Sequence, residues 1–207
     1  MEKEERDILH LYLIRHGETA SKNPNLIYGH NKVDLSLNGR KQMKILSKTI
    51  NGHVQYIFTS PIERAFESGQ ILSNGKIPIE AKDELKEINF GTYNGEDVTK
   101  YPDLFIDKYK SKLLASKPFP NGESINQLKK RILKFHNFLL KNNFSSVCII
   151  SHQWALNAYL KLLVESNFEK GANFIFQTGK ITHLKISKKN KKVRFMAHNI
   201  DYFDTYK

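Results

Sequence analysis

Two histidines and two arginines stand out in this sequence because each follows a short apolar segment. These side chains and the segments that precede them are Arg15 and His16 after residues 8–14, Arg64 after residues 54–58, and His152 after residues 147–150. Guanidinium groups present planar forks of donors that match phosphate oxygens, and a neutral imidazole nitrogen can attack phosphorus. Phosphoryl transfer requires mainly positioning and charge neutralisation. A pocket that gathers these side chains would therefore suit phosphoryl transfer without a metal ion.

The elements that must position these side chains alternate between strand-like and helical patterns. The three apolar segments have the length of buried strands. Helical spacing of apolar residues follows in the intervals, over residues 37–50, 62–72, 125–139 and 155–164. Strands that alternate with helices predict an α/β fold, a three-layer α/β/α sandwich around a mostly parallel sheet. Ligands of such sheets bind beyond the carboxyl ends of the strands, so we expect the four side chains to meet there.

The rest of the chain predicts one domain that spans residues 1–207. A chain of 207 residues suits a single core, and no repeat or linker divides it. Residues 96–119 are expected to form an inserted helical region over one edge of the pocket. Residues 185–194 predict a solvated hairpin with its tip near Asn190, and Pro61 is expected in the first turn of the helix that follows it.

Composition excludes several classes of protein. Hydrophobic residues make up 40% of the chain, which is too apolar for disorder, and no apolar run reaches the roughly 20 residues of a membrane helix. The charged amino terminus does not resemble a secretory signal, so a cytoplasmic location is expected. Cys148 is the only cysteine, so an internal disulfide is excluded, and its apolar neighbours predict a buried residue.

The net charge of +12 raises the alternative of a nucleic-acid binder. Its lysines are spread along the whole chain, which favours a general compositional bias, and basic residues interleaved with aromatics are not evident. We therefore expect no nucleic acid and no membrane among the partners. No pair of histidines has the spacing of a metal site, so neither a metal nor another cofactor is expected.

Six segments, in order, carry a resemblance to a known family. Arg15-His16-Gly17-Glu18-Thr19 resembles the signature of the histidine phosphatase superfamily, in its phosphoglycerate-mutase-like branch. The segments that continue the resemblance are Gly29-His30, residues 34–40, Ser60 to Ala65, Leu85 to Gly95, Asn121 to Ser124, and Ser151-His152. The resemblance spans Leu9 to about Leu184 and implies the same three-layer fold.

The resemblance also implies a role for individual residues. His16 would be the nucleophile that becomes phosphohistidine, and Glu87 would protonate the leaving group and later activate water. The residues that would hold the phosphoryl oxygens are Arg15, Arg64 and His152. Gly17 would let the backbone pass close to the phosphate, and Tyr28 and Gly29 would line the substrate cleft.

Two departures from the family pattern concern the substrate side of the cleft. The family often places Trp-Asn after the first motif, where this chain has Ser21-Lys22. Either Lys22 supplies a cationic contact to substrate, or a shifted loop lets Asn23 take the usual role. Gln153 and Trp154 replace the usual Gly-Gly after the second histidine, which is expected to narrow the cleft beside the substrate.

The reaction that the resemblance favours is hydrolysis of a small phosphomonoester, so the expected partner is a small phosphorylated metabolite. The stretch between Glu87 and Gly122 is short, as in the smaller phosphatase members, whereas mutases carry extra residues there. Mutase-type transfer remains the alternative reaction. A non-catalytic phosphate-binding regulatory protein is the alternative of another class, and Glu123 is the alternative acid. The sequence indicates no oligomeric state.

Overall fold

The computed structural model describes residues 7–102, 116–164 and 174–201. Within these ranges six strands form one sheet. They are β1 (Ile8–Arg15), β2 (Tyr56–Thr59), β3 (Ile79–Ala81), β4 (Ser146–Ser151), β5 (Ile181–Ser187) and β6 (Val193–Ile200). Their order across the sheet is β3-β2-β4-β1-β5-β6. The three strands predicted from apolar segments are confirmed as β1, β2 and β4, whereas the three-residue strand β3 was not predicted.

Four of these strands run parallel to one another. β3, β2, β4 and β1 are paired in parallel, and β5 and β6 add to β1 as antiparallel strands. The register places Arg15 beside Ser151 and Thr59 beside Ile150. The carboxyl ends of β1, β2 and β4 therefore lie side by side at one edge, as expected of a mostly parallel sheet.

Helices of at least eleven residues cover the sheet. They are α1 (Leu37–Ile50), α2 (Glu63–Ser73), α3 (Ile125–Lys141) and α4 (Gln153–Leu163). All four were predicted, but two of their starts were wrong. Ile62 is the N-cap of α2, so Pro61 lies before the helix and not in its first turn. α4 begins two residues earlier than predicted, which brings its first backbone N–H groups to the site.

Two hydrophobic cores, one on each face of the sheet, show why the strands are apolar throughout. Leu11 and Leu13 of β1 pack with α3 and α4, whereas Tyr12 and Ile14, on the opposite face, pack with α1 and α2. Strands that are buried on both faces need apolar residues at successive positions. The three-layer α/β/α arrangement is thereby confirmed.

Side-chain caps fix where two of the helices begin. Ser36 accepts a hydrogen bond from the Gly39 N–H (2.9 Å) at the start of α1. Ser124 and Gln127 form a reciprocal capping box at the start of α3. Such caps contribute about 1 kcal/mol each. The cap of α3 also fixes the direction in which the preceding residue, Glu123, enters the site region.

Two predictions concern regions at the edges of the described ranges. The hairpin near Asn190 is confirmed, since β5 and β6 are antiparallel and residues 188–192 join them. The inserted region predicted over residues 96–119 falls largely on residues 103–115, which lie outside the described residues, so it stays a prediction. None of the helices in the described ranges combines the length and the apolar character that crossing a membrane requires.

Candidate active site

His16 lies at the carboxyl end of β1 and is almost fully buried. Its Nδ1 lies 2.8 Å from the carbonyl oxygen of Gly17, which can only accept, so Nδ1 carries the proton. Its Nε2 lies 3.3 Å from the Nε–H of Arg64, which can only donate, so Nε2 is unprotonated. The backbone and Arg64 together select one neutral tautomer, in which the lone pair of Nε2 faces a guanidinium group.

The surroundings of His16 also keep the imidazole neutral. Burial lowers the pKa of His16 well below 6.5, and the positive charges of Arg64 and Arg15 lower it further. The hydrogen bond to Gly17 opposes this shift as a weaker effect. At neutral pH the ring therefore retains the lone pair that a nucleophile needs.

Arg64 lies in the first turn of α2, with 2% of its surface exposed. Its Nη2 donates to the carbonyl of Gly29 (2.7 Å) and its Nη1 to the carbonyl of Asn31 (3.1 Å). The guanidinium carbon lies 5.7 Å from the centre of the Tyr28 ring. Burial lowers the pKa of Arg64 to about 10, so the group remains a cation at neutral pH. Loop 28–31 thus fixes the cation against His16.

Arg15 and His152 each present a buried donor nitrogen to the same place. Arg15 Nη1 donates to the carbonyl of Phe176 (3.0 Å), and His152 Nε2 lies 2.8 Å from the Ser60 hydroxyl. The ring centres of His152 and His16 are 5.1 Å apart. Arg15 Nε and His152 Nδ1 are buried and have no hydrogen-bond partner among the described residues.

A buried polar atom without a partner costs about 1–3 kcal/mol. When the Ser60 hydroxyl donates to Nε2 of His152, the imidazole proton resides on Nδ1, which is then a donor. Burial lowers the pKa of His152 well below 6.5, so the ring is neutral and keeps one N–H. Two unpartnered donors beside a cationic guanidinium match an anion with several acceptor oxygens.

Glu87 lies in the loop that follows a short 3-10 helix at residues 83–85. Its carboxyl group is buried and accepts hydrogen bonds from the backbone N–H groups of Ile88 (2.9 Å), Trp154 (3.2 Å) and Ala155 (3.2 Å). The last two belong to the first turn of α4. Burial raises the pKa of Glu87, while these N–H groups and the two arginines, Arg64 and Arg15, oppose the rise.

Arg131, on α3, holds the loop of Glu87 from behind. It donates to the carbonyls of Glu84 (2.6 Å), Lys86 (2.6 Å) and Glu87 (3.0 Å). Its Nε and Nη2 also form a two-bond ion pair with Glu123 (2.7 and 2.9 Å). Glu123, the alternative acid, is therefore committed to Arg131, and it also accepts from the N–H of Asn89 (3.4 Å). Its contacts are those of a residue that shapes the loop.

Sequence reasoning missed the contributions of Arg131, Ser60 and His30. The His30 Nε2 lies 2.7 Å from the carbonyl oxygen of Glu87, so His30 also restrains the acid loop. His30 and Ser60 stood inside recognised segments, and their positions next to Gly29 and Pro61 were the available signal. Arg131 has no such signal, since it lies on α3 among the other cations of that helix.

The two glycines predicted for the substrate cleft have structural reasons of their own. A Cβ on Gly17 would lie 2.6 Å from the carbonyl oxygen of Gly39, and the Gly17 N–H donates to Ser68 (3.0 Å). Gly17 therefore permits the close approach of α1, which replaces the predicted approach of backbone to phosphate. Gly29 has a φ of +47° and a Cβ there would overlap Asn94, so glycine is required to aim its carbonyl at Arg64.

The structure separates Lys22 and Asn23 from the phosphate role considered for them. Lys22 is exposed. Asn23 donates from Nδ2 to Asp97 (3.0 Å) and accepts at Oδ1 from the Asn25 N–H (2.8 Å). Both ends of its amide are thus engaged in tying loop 23–27 to residues 95–98. Asn23 fixes the wall of the cleft in this arrangement.

Gln153 and Trp154 differ in what they contact. Gln153 donates to the carbonyl of Phe174 (2.8 Å) and accepts from the Phe176 N–H (2.9 Å), so its amide positions the segment that Arg15 also binds. Trp154 packs edge-on against Phe90, with ring centres 5.6 Å apart. Trp154 therefore lies beside the acid loop, where its half-buried ring narrows the cleft.

The structure brings together the five residues to which catalytic roles were assigned: Arg15, His16, Arg64, Glu87 and His152. Comparison with known proteins agrees with this arrangement. The family model of the histidine phosphatase superfamily (branch 1) matches residues 11–199. Among curated relatives, phosphoserine phosphatase 1 of Hydrogenobacter thermophilus is 26% identical over 171 residues, 79% of this chain and 80% of that protein.

Two further proteins show the extent of the similarity. The adenosylcobalamin/alpha-ribazole phosphatase of Escherichia coli is 24% identical over 196 residues, which cover 91% of this chain and 95% of that protein. A solved phosphoserine phosphatase variant from Entamoeba histolytica, in complex with phosphoserine, superimposes with a TM-score of 0.80 at 24% identity. That superposition covers 93% of this chain and 98% of the other, so the fold is the same over nearly the whole chain.

Proposed function

We propose that this chain, which belongs to branch 1 of the histidine phosphatase superfamily, hydrolyses a small phosphorylated metabolite by way of a phosphohistidine on His16. One observation carries the proposal. A buried, neutral imidazole directs its unprotonated Nε2 toward a guanidinium group, and two buried donors without partners lie beside it. A dianionic phosphoryl group supplies the acceptor oxygens that these donors need.

In the first step, Nε2 of His16 forms a bond to phosphorus as the bond from phosphorus to the leaving oxygen breaks. The proton on Nδ1 stays on the Gly17 carbonyl, so the imidazole donates its lone pair without first losing a proton. Arg64 Nε, Arg15 Nε and His152 Nδ1 offset the charge on the three phosphoryl oxygens. Preorganised donors of this kind are usually the largest single contribution to catalysis.

Glu87 completes the first step as the general acid. A raised pKa keeps a fraction of the carboxyl groups protonated near neutral pH, and the proton passes to the leaving oxygen as it departs. In the second step the carboxylate takes a proton from water, the water oxygen attacks phosphorus, and the bond to His16 breaks. Phosphate is released, and His16 and Glu87 return to their starting protonation states.

The positive charges that phosphoryl transfer needs are supplied by the protein in this proposal. Hydrolysis of p-nitrophenyl phosphate should therefore persist in excess EDTA, measured by release of nitrophenolate after dialysis against chelator. Loss of activity that added magnesium or zinc restores would contradict the proposal. Among the described residues, no three His, Cys, Asp or Glu side chains are grouped so that they would hold a metal ion.

The substrate is best sought by measuring phosphate release from a panel of phosphorylated metabolites. Relatives of this chain are named as phosphatases of phosphoserine and of alpha-ribazole, so phosphoserine and alpha-ribazole phosphate belong in the panel with sugar phosphates. The panel should include 3-phosphoglycerate with a readout for 2-phosphoglycerate. Exchange faster than phosphate release would identify a mutase, and phosphate release from no member would favour a binding protein.

A further inference from the structure

A second group of basic side chains lies at the opposite end of β1. Side chains on alternate residues of a strand share a face, so Ile8, His10 and Tyr12 point to the side of the sheet that α1 covers farther along. The pairing register aligns His10 with Ser146 on β4 and with Lys185 on β5. Six residues of strand separate His10 from His16, a distance of about 20 Å, so this group is remote from the catalytic histidines.

These residues line a cavity of about 470 Å³. α1 ends at Ile50, and the turn that follows it contributes Gly52 and His53 to one wall. The full lining comprises Ile8, His10, Tyr12, Gly52, His53, Ser145, Ser146 and Lys185. Cavities of about 300–1,000 Å³ are the size that small-molecule sites have, which leaves room for an organic group as well as an anion.

Basic and neutral groups alone make up this lining among the described residues. His10, His53 and Lys185 supply nitrogen donors, and Ser146 and Tyr12 supply hydroxyl groups. The carboxylate nearest along the chain belongs to Asp7, and it is engaged elsewhere. Asp7 Oδ2 accepts from the Ser187 hydroxyl (2.8 Å) and from the Lys189 N–H (3.2 Å) at the turn between β5 and β6.

His183, which lies behind His10, senses the same positive charges. Its Nε2 is 3.2 Å from Nδ1 of His10, and its ring stacks on Tyr12 with centres 4.4 Å apart. Burial is the first cause that lowers the pKa of His183 to about 4. Repulsion from His10, Lys185 and His53 acts in the same direction, so three basic groups converge on one point of the sheet.

We propose that this cavity, which we call the basal cavity, is a second binding site for a phosphorylated small molecule. His10, His53 and Lys185 bind the phosphate group, and the remaining volume holds the organic part. Cationic nitrogen donors with no competing carboxylate are the groups that recognise a phosphate dianion. The inference does not depend on the catalytic activity, since none of these side chains belongs to the catalytic cluster.

Histidine-selective NMR tests both sites in one sample. Protein labelled with ¹⁵N at histidine is titrated with phenylphosphonate, a dianion on an organic group that has no hydrolysable ester bond, at constant ionic strength. We expect saturable shifts of His10, His53 and His183, with an affinity of their own that differs from that reported by His16 and His152. A parallel titration with inorganic phosphate separates the two sources of the anion.

Substitutions in the lining supply the controls. Lys185→Gln and His53→Gln should weaken the basal response at least tenfold and leave the response of His16 and His152 unchanged, which also shows that the fold is intact. Lys189→Gln removes the same charge from an exposed position on the same hairpin and should have no effect. Absence of a saturable basal response, or equal weakening by Lys185→Gln and Lys189→Gln, would overturn the proposal. Binding of phosphate without binding of phenylphosphonate would overturn the assignment to a phosphorylated metabolite.

Discussion

The histidine–arginine cluster and the loop of Glu87 adjoin each other but are built in opposite ways. Arg15, His16 and His152 lie at or next to strand ends, and two of their donor nitrogens have no partner among the described residues. The carboxyl of Glu87, by contrast, is held by three backbone N–H groups, and Arg131 and His30 bind its carbonyl. The cluster is therefore open to a ligand's oxygens, whereas the acid is fixed in advance by the protein.

This difference indicates a division of labour that substitutions can separate. A change in the cluster should affect every phosphate ester, because all of them present the same phosphoryl group. A change in the acid loop should affect only esters whose leaving group needs a proton. The comparison fails if the two regions respond alike.

The largest effect is expected for His16→Ala. Without the nucleophilic nitrogen, turnover of both p-nitrophenyl phosphate and an alkyl phosphate should fall to the level of the uncatalysed reaction, as measured by phosphate release. His136→Ala provides the control, since His136 contacts Tyr159 on the far side of α3 from the loop of Glu87. A His16→Ala enzyme with appreciable turnover would exclude this residue as the nucleophile.

Glu87→Gln should separate the two kinds of substrate most clearly. The amide cannot donate a proton as the acid does, so kcat for an alkyl phosphate should fall by roughly 10²–10⁴-fold. Nitrophenolate leaves without protonation, so its release should fall far less. Glu84→Gln is the matched control from the same loop, because Glu84 pairs only with exposed Lys134. Equal losses for both substrates would place the acid elsewhere.

The pH dependence sharpens the same comparison. His16 must be neutral to attack, and its pKa lies well below 6.5, so its protonation reduces the rate only on the acidic side. Glu87 must be protonated to donate, and its pKa is raised, so the rate for an alkyl phosphate should fall about tenfold per pH unit above that pKa. Glu87→Gln should remove this basic limb. A limb that persists in the variant with the same substrate would assign it to another group.

A smaller effect is expected for Arg131→Lys. One ammonium group cannot replace three contacts to carbonyls and a two-bond pair with Glu123, so Glu87 should move slightly. We expect kcat for alkyl phosphates to fall about tenfold, and kcat for p-nitrophenyl phosphate to change little. Lys134→Gln, also on α3 and exposed, should be without effect. A uniform loss across substrates would indicate damage to the fold instead.

The sequence predicted the cluster better than the loop, for a physical reason. Arg15, His16 and His152 follow apolar strands, and strand pairing brings strand ends together whatever the side chains are. Glu87 follows no predicted strand, and only the resemblance of Leu85 to Gly95 to a family motif identified it. The loop owes its shape to Arg131, whose partners are backbone carbonyls that carry no sequence signal.

The roles predicted for smaller residues depended on contacts that no pattern specifies. Gly17 resembled a phosphate-approach glycine, yet the atom that demands it is the carbonyl of Gly39. Asn23 was placed by counting residues from the first motif, but Asp97, more than seventy residues away, takes its amide. Long-range contacts of single side chains were beyond sequence reasoning, whereas layer order and strand direction were not.

The most direct test of the account is to trap the phosphoenzyme and locate it. Enzyme mixed with a ³²P-labelled substrate and quenched in alkali within the first turnover should carry label that acid removes, and mass spectrometry of the peptide should place the phosphate on Nε2 of His16. Wild-type enzyme that turns over substrate but carries no label at His16, or carries it on another residue, would contradict the account.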